Sequence, residues 1–206
     1  SCDISASKPV DNINPVYSVE NQKFENMSKA YFASGCFWCV ETIYESLDGV
    51  EEVYSGYAGG TTINPNYYQV MSGKTGHAEA IEIIYDSNKV SFDTLLKVFF
   101  DSHNPTTPNR QGPDYGTQYR SIAFYNNQDE KNKIKNYISF LSTSSIFGKE
   151  IITEVKKIDK FYYAEEYHQD YEKKNPYNPY VQNVSIPRFI KFKQKASSYI
   201  KIKDDH

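Results

Sequence analysis

The chain has 206 residues, 39% of them hydrophobic, and a formal net charge of -3 at pH 7. That length and apolar content suit one buried core with appendages rather than two domains, and with Lys and Glu scattered along the chain there is no basic block to attract nucleic acid. No apolar run approaches the roughly 20 residues needed to cross a bilayer, so no transmembrane segment and a water-soluble body are expected.

From Ser1 to about Ser28 the sequence is polar, rich in Ser, Asn, Asp, Lys and Pro, and shows no sustained period; residues 1–28 read as a tail or tether. Cys2 near its free end is a candidate lipid-attachment cysteine, so the two expected locations are the cytoplasm and a cell envelope reached through that tether. Residues 29–34 (Lys29 to Ser34) form a short predicted strand that runs into Gly35. The period then changes: Phe37, Val40, Tyr44 and Leu47 recur at helical spacing, with Glu41 and Glu45 on other faces. A strand follows from Val50 to Tyr57, then a polar loop from Ala58 to Gly76.

Ala78 to Tyr85 alternates as a strand, with Ile81, Ile83 and Tyr85 on one face, and a helix from about Ser91 to Ser102 buries Phe92, Leu95, Leu96 and Phe99, with Ser91 as N-cap. The stretch from His103 to Gln118 is Pro- and Gly-rich and reads as one long loop, a kind that is usually functional. A strand from Tyr119 to Tyr125, a helix from Gln128 to about Leu141 and a strand from Ile151 to Ile158 complete the pattern. Strands interleaved with helices in this order argue for an α+β fold with a mixed sheet and helices packed on it. After Phe161 the Tyr-, Asn- and Pro-rich sequence reads as an irregular wrap ending in a short helix. The domain is thus expected over 29–195, with 196–206 as a C-terminal tail.

The chain has three cysteines, Cys2, Cys36 and Cys39, too few and too clustered for a disulfide-stapled scaffold. Gly35-Cys36-Phe37-Trp38-Cys39 stands where a strand hands over to a helix. A thiol in the first helical turn lies near unpaired N–H groups and the positive end of the macrodipole, which favour thiolate, so Cys36 is a candidate nucleophile. Cys39, one turn on, is placed to form a reversible disulfide with it. Two other readings stand beside that one: half of a zinc site, for which no second Cys-x-x-Cys or close His pair exists, and a pair of inert buried cysteines.

Glu79 opens a strand within an apolar run, where desolvation raises a carboxyl pKa and makes it a candidate general acid. His77 beside it reads equally as one of a surface pair or a metal site. Tyr67 and Tyr119 offer phenols that hydrogen-bond an oxygen gaining charge. Phe37 and Trp38 are candidates for an apolar wall that receives a methyl group.

Taken together, these motifs resemble the A-type peptide methionine sulfoxide reductases from about Lys29 to the Asn175-Pro176 region. The resemblance is carried by Gly35-Cys36-Phe37-Trp38, Gly56-Tyr57-Ala58-Gly59-Gly60, Gly76-His77-Ala78-Glu79, His103-Asn104-Pro105-Thr106, Arg110-Gln111-Gly112, Asp114-Tyr115-Gly116-Thr117-Gln118-Tyr119-Arg120 and Glu165-Glu166-Tyr167-His168-Gln169. It implies an α+β domain of βαβ-type units that reduces the S epimer of methionine sulfoxide, free or in proteins. It also implies Cys36 as attacking thiolate, Glu79 as acid, Tyr67 and Tyr119 as holders of the oxygen, Phe37 and Trp38 as receivers of the methyl, and Asp114 at the pocket border. No bound cofactor is implied; thioredoxin or a similar dithiol is the expected reductant, and the domain is expected to be a monomer. Many members of the family keep recycling cysteines in a Gly-rich C-terminal tail, which this chain lacks. Like members with Cys at the position of Cys39, it is expected to form a Cys36–Cys39 disulfide. The rival class is a thioredoxin-like dithiol oxidoreductase, which shares Cys-x-x-Cys at a helix start but leaves Glu79 and Tyr119 without a task.

Overall fold

A computed structural model describes residues 23–203; Cys2 lies outside the described residues. The elements are β1 (Ser28–Ser34), α1 (Phe37–Glu45), β2 (Val50–Ala58), α2 (Tyr67–Met71), β3 (Ala78–Tyr85), α3 (Phe92–Asp101), β4 (Arg110–Gln111), β5 (Asp114–Tyr115), β6 (Ser121–Tyr125), α4 (Gln128–Thr143), β7 (Glu154–Lys157), β8 (Phe161–Tyr163), α5 (Tyr171–Lys174) and α6 (Ile186–Ala196). One-turn 3-10 segments at Thr117–Tyr119 and Glu166–His168 and a π-helical turn at Val181–Ser185 join them.

Six strands form one mixed sheet in the order β7-β6-β1-β3-β2-β8, and β4 and β5 form a separate small hairpin. All neighbours in the large sheet are antiparallel except β6 and β7. Since β3 lies between β1 and β2 and is antiparallel to both, β1-α1-β2 is a split βαβ unit; β6-α4-β7 is a contiguous one. The α+β class and its βαβ-type units are therefore as expected.

Strand β3 is buried along its whole length, so its alternation separates two interiors rather than core from solvent. Ile81, Ile83 and Tyr85 join the large core with Phe32, Val40, Tyr44, Leu95, Leu96 and Phe99 from β1, α1 and α3. Ala78 and Ala80 face a smaller cluster with Ile122 and Phe124, and Ile84 packs with Phe24 and Tyr54. By this period of two, Glu79 projects from the face of Ile81 and Ile83, the side on which α1 lies.

Several local expectations change. The loop after β2 contains α2, whose start is a reciprocal capping box: Asn66 accepts from the Gln69 N–H and Gln69 returns the bond to the Asn66 N–H. The long loop from His103 holds the β4–β5 hairpin and the Thr117–Tyr119 turn, so Tyr119 precedes the strand rather than opening it. Strand β8 lies in the expected irregular wrap; three residues carry too little pattern to announce themselves, yet they pair with Gly56–Ala58 of β2. Glu41 and Glu45 are buried, not solvated: Glu41 accepts from the Ser55 hydroxyl and the Asp170 N–H, while Glu45 pairs with Lys173 at 2.7 Å. Burial pushes their carboxyls up to about 8 and about 7. Beyond α6, the Asp48 N–H donates to Lys201 and the Lys203 N–H to Ser46, fastening residues 201–203 to the α1–β2 turn.

Candidate active site

Gly35 makes the turn from β1 into α1 at φ +93°, and a Cβ there would stand 2.7 Å from Gln111 Cβ. Only glycine meets both the left-handed backbone and the close approach. Cys36 is the N-cap of α1, but its side chain caps nothing. The first-turn Phe37 N–H instead donates to Glu79 Oε2 at 2.9 Å, so the first N–H of the helix goes to the carboxyl beside the thiol. With 6% of its surface exposed, Cys36 is buried but not sealed.

These contacts work against a resting thiolate at Cys36. Burial pushes its thiol well up, and its contact with Cys39 pushes the same way. Cys39 moves oppositely: that contact lowers it most, against burial, with Arg188 and Ser185 assisting. Within this reduced pair the two thiols are therefore shifted in opposite directions, Cys36 up and Cys39 down.

Glu79 is 2% exposed. Desolvation raises its carboxyl to about 8, the Phe37 N–H only partly opposing this, so it holds a proton at neutral pH. Glu79, Cys36 and Asp114 also lie close enough to Tyr67 and Tyr119 to oppose ionisation of both phenols, adding to burial, with Tyr67 pushed up to about 12. Both remain hydrogen-bond donors. Glu165 anchors Tyr67 by accepting from its N–H at 3.2 Å and also from the Tyr57 hydroxyl at 3.2 Å. The Tyr119 hydroxyl rests on Met71 Sδ at 3.4 Å, a weak acceptor readily exchanged for an oxygen.

Phe37 is fully packed between Tyr57 and His168, with centroids at 5.9 and 5.1 Å. Trp38 stacks face to face on Tyr171 at 3.7 Å and meets Tyr180 edge-on at 6.0 Å, while its Nε1–H donates to His168 Nδ1 at 3.1 Å. Burial lowers His168 to about 4, keeping the ring neutral and able to accept there. Asp114 Oδ2 accepts from the Tyr180 hydroxyl at 2.5 Å. A groove of about 860 Å³ opens along this bond between Gln111, Asp114, Tyr180 and Arg188.

The fold therefore gathers Cys36, Cys39, Glu79, Tyr67, Tyr119, Phe37, Trp38 and Asp114 around one end of α1. His77 stands apart as a buried loop staple: Nδ1 accepts from the Gly60 N–H and Nε2 donates to Thr62 O. It is neither of the roles weighed for it. Sequence reading missed Tyr171, Tyr180, His168, Glu165 and Ser185. The Glu165–Gln169 motif was visible without a role, and the others lie where the chain shows no period.

A family model described as peptide methionine sulfoxide reductase matches residues 28–200. The peptide methionine sulfoxide reductase MsrA of Nautilia profundicola is 48% identical over 180 residues, covering 87% of this chain and 98% of the relative. Among solved structures, reduced Mxr1 from Saccharomyces cerevisiae is similar with a TM-score of 0.70 and 34% identity, over 74% of this chain and 87% of that one. Mxr1 in complex with Trx2 shares the fold at a TM-score of 0.50 and 22% identity, over 70% of this chain and 84% of the other. By its sequence and its fold alike, the chain belongs to the peptide methionine sulfoxide reductase family.

Proposed function

We propose that this chain reduces the S epimer of methionine sulfoxide to methionine, with Cys36 as nucleophile, Glu79 as acid and Cys39 as resolving thiol. The observation that carries the reading is the buried Glu79 carboxyl held by the Phe37 N–H at 2.9 Å immediately beside Cys36, where desolvation raises it to about 8. A sulfoxide oxygen leaves poorly unless it is protonated and hydrogen-bonded as charge develops. Glu79 supplies that proton, and the Tyr67 and Tyr119 hydroxyls hold the oxygen. Phe37 and Trp38, stiffened by Tyr171, Tyr180 and His168, take the methyl group, with Asp114 at the border.

In the first step Cys36 Sγ bonds to the sulfoxide sulfur and the oxygen takes the Glu79 proton. The Cys36 proton has an acceptor in Cys39, to which it is already hydrogen-bonded. The hydroxyl passes from the substrate sulfur to Cys36 Sγ as the bond between the two sulfurs breaks, so methionine departs and Cys36 remains as sulfenic acid, with Glu79 ionised until solvent returns its proton. Cys39 then attacks that sulfur, the S–O bond breaks, and water leaves behind a Cys36–Cys39 disulfide. A dithiol reductant returns both thiols; thioredoxin fits this role, supported by the yeast relative's complex with Trx2. The thioredoxin-like reading gives no task to Glu79 and its two phenols.

Separate S and R sulfoxide epimers incubated with wild type and Cys36→Ser test the assignment. Methionine should form only from the S epimer and only with Cys36 present; formation from R alone, or by the variant, overturns it. Cys39→Ser should complete one turnover and then stop in the presence of thioredoxin, thioredoxin reductase and NADPH. Sustained cycling by that variant removes Cys39 from the scheme.

A further inference from the structure

Cys39 is 2% exposed, and a buried thiol that must attack a sulfenic acid has to lose its proton without bulk water. Its Sγ lies 2.8 Å from the hydroxyl of Ser185, itself 2% exposed, at the end of the π-helical turn. Thr42 is three residues beyond Cys39 on α1, hence on the same face, and its hydroxyl donates to Glu172 Oε2 at 2.9 Å. Oε1 of Glu172, on α5, is buried and has no hydrogen-bond partner. The Ser185 hydroxyl lies near enough to this carboxyl to favour its ionised form, while Oε1 itself is without a partner. Two elements distant in sequence thus bring an unpartnered carboxylate oxygen and a hydroxyl to the sulfur opposite Cys36.

We propose that Ser185 and Glu172 form the proton path that activates Cys39 for disulfide formation. The inference rests on the reading of Cys39 as the resolving thiol. As Cys39 Sγ bonds to Cys36 Sγ, the Cys39 proton passes to Ser185 Oγ and the Ser185 hydroxyl proton passes to Glu172 Oε1. The Cys36 S–O bond breaks and the departing hydroxide takes a proton from Glu79, which solvent has reprotonated after methionine leaves, and departs as water. Cys36 is reduced from sulfenic acid to disulfide, Cys39 is oxidised from thiol to disulfide, and one solvent proton is the only further requirement. A short rotation of the Ser185 hydroxyl completes the chain.

The surroundings suit a carboxyl that cycles between states. Burial raises the Glu172 pKa, while Ser185, Thr42 and the Arg188 guanidinium draw it back. Arg188 is fixed by donating to Ser102 O and Ser34 O, so it biases both Cys39 and Glu172 without taking up the proton. On the same helix, Lys173 engages Glu45 and Asp170, and Lys174 donates to Gln169 O and pairs with Glu166. The groups facing Glu172 from α1 and α6 are therefore Cys39, Thr42 and Arg188.

The test is rapid mixing of the full chain with methionine S-sulfoxide, following methionine release and the loss of both thiols separately across pH. Dimedone trapping reports the sulfenic acid. In Ser185→Ala and Glu172→Gln the second step should slow by about 10²-fold with sulfenic acid accumulating, the loss being confined to that step. In wild type its rate should fall as pH drops through the raised Glu172 pKa; Glu172→Gln should lose that acidic limb, and Ser185→Thr should restore the rate. Unchanged disulfide formation in both variants overturns the path. So does an equal slowing at every pH with no rescue by threonine, which marks a packing role. Failure of the underlying reading is separate: Cys39→Ser would then continue to cycle.

Discussion

Glu79→Gln isolates the proton on which the chemistry depends. The amide keeps the shape of the carboxyl and its oxygen accepts the Phe37 N–H, but it has no acidic proton to transfer to the sulfoxide oxygen. Methionine formation in a single turnover at pH 7 should fall by about 10²- to 10⁴-fold, the usual contribution of a positioned acid. Folding supplies an independent measure. With the native carboxyl at about 8 and an ordinary unfolded value near 4.3, this group's contribution to stability is whole below the unfolded pKa and is lost as pH rises to the folded one. The slope is about 1.4 kcal/mol per pH unit, or roughly 4 kcal/mol between pH 5 and pH 8. Glu79 is almost fully buried, so no discount for solvent screening applies. Other raised carboxyls, Glu41 and Glu45 among them, act in both proteins and cancel in the difference. Urea unfolding of wild type and variant at several pH values should therefore show the variant gaining steadily on wild type from pH 5 to pH 8. A difference that stays level means that Glu79 is ionised throughout, and the acid role falls.

Tyr119→Phe should slow methionine formation by about 10-fold or more with little change in stability, because its hydroxyl rests only on Met71 sulfur; a rate equal to wild type in single-turnover assays removes it from the oxygen site. Trp38→Ala should raise KM for sulfoxide peptides more than it lowers kcat, since the wall it stacks against Tyr171 is proposed to bind the methyl group and moves no proton. Steady-state kinetics with equal losses in both would contradict this. Gly60→Ala should destabilise the fold by about 1–3 kcal/mol by thermal unfolding, because its Cβ would fall 2.2 Å from the His77 N–H nitrogen; an unaltered Tm would mean that the loop yields freely.

What the sequence made legible followed the range of the forces involved. The β1–α1 turn, with Cys36 and Cys39 one helical turn apart, is local chemistry, and so is Glu79 at the start of an apolar strand. Both emerge from short windows. The capping box of α2 was equally local, with Asn66 three residues before Gln69, but two tyrosines in a polar stretch drew the reading towards a loop. Glu41 and Glu45 illustrate the opposite case. Nothing within α1 says that Ser55 of β2, Asp170 and Lys173 will come to meet their carboxyls and permit burial. Tyr171, Tyr180 and Ser185 were hidden for the same reason: the wrap after Phe161 has no period of its own, and its residues acquire meaning only where tertiary packing lays them against α1.

The thiol of Cys36 shows how the parts of the site depend on one another. A helix terminus favours an anion only where its N–H groups remain free to bind it. Here the Phe37 N–H is given to Glu79, and burial then decides the thiol's charge. Keeping Glu79 protonated and keeping Cys36 a thiol are consequences of one desolvated pocket, so neither can be altered alone. The arrangement works because sulfoxide brings both halves of the reaction at once: its oxygen draws the carboxyl proton while its sulfur makes the thiol acidic. The Cys36 proton then has Cys39 as its acceptor, with Arg188 favouring charge on that second sulfur. A substrate without a basic oxygen gives Glu79 no reason to release its proton, and Cys36 stays a weak nucleophile. On the proposed mechanism, selectivity for S=O resides in the coupled burial of an acid and a thiol.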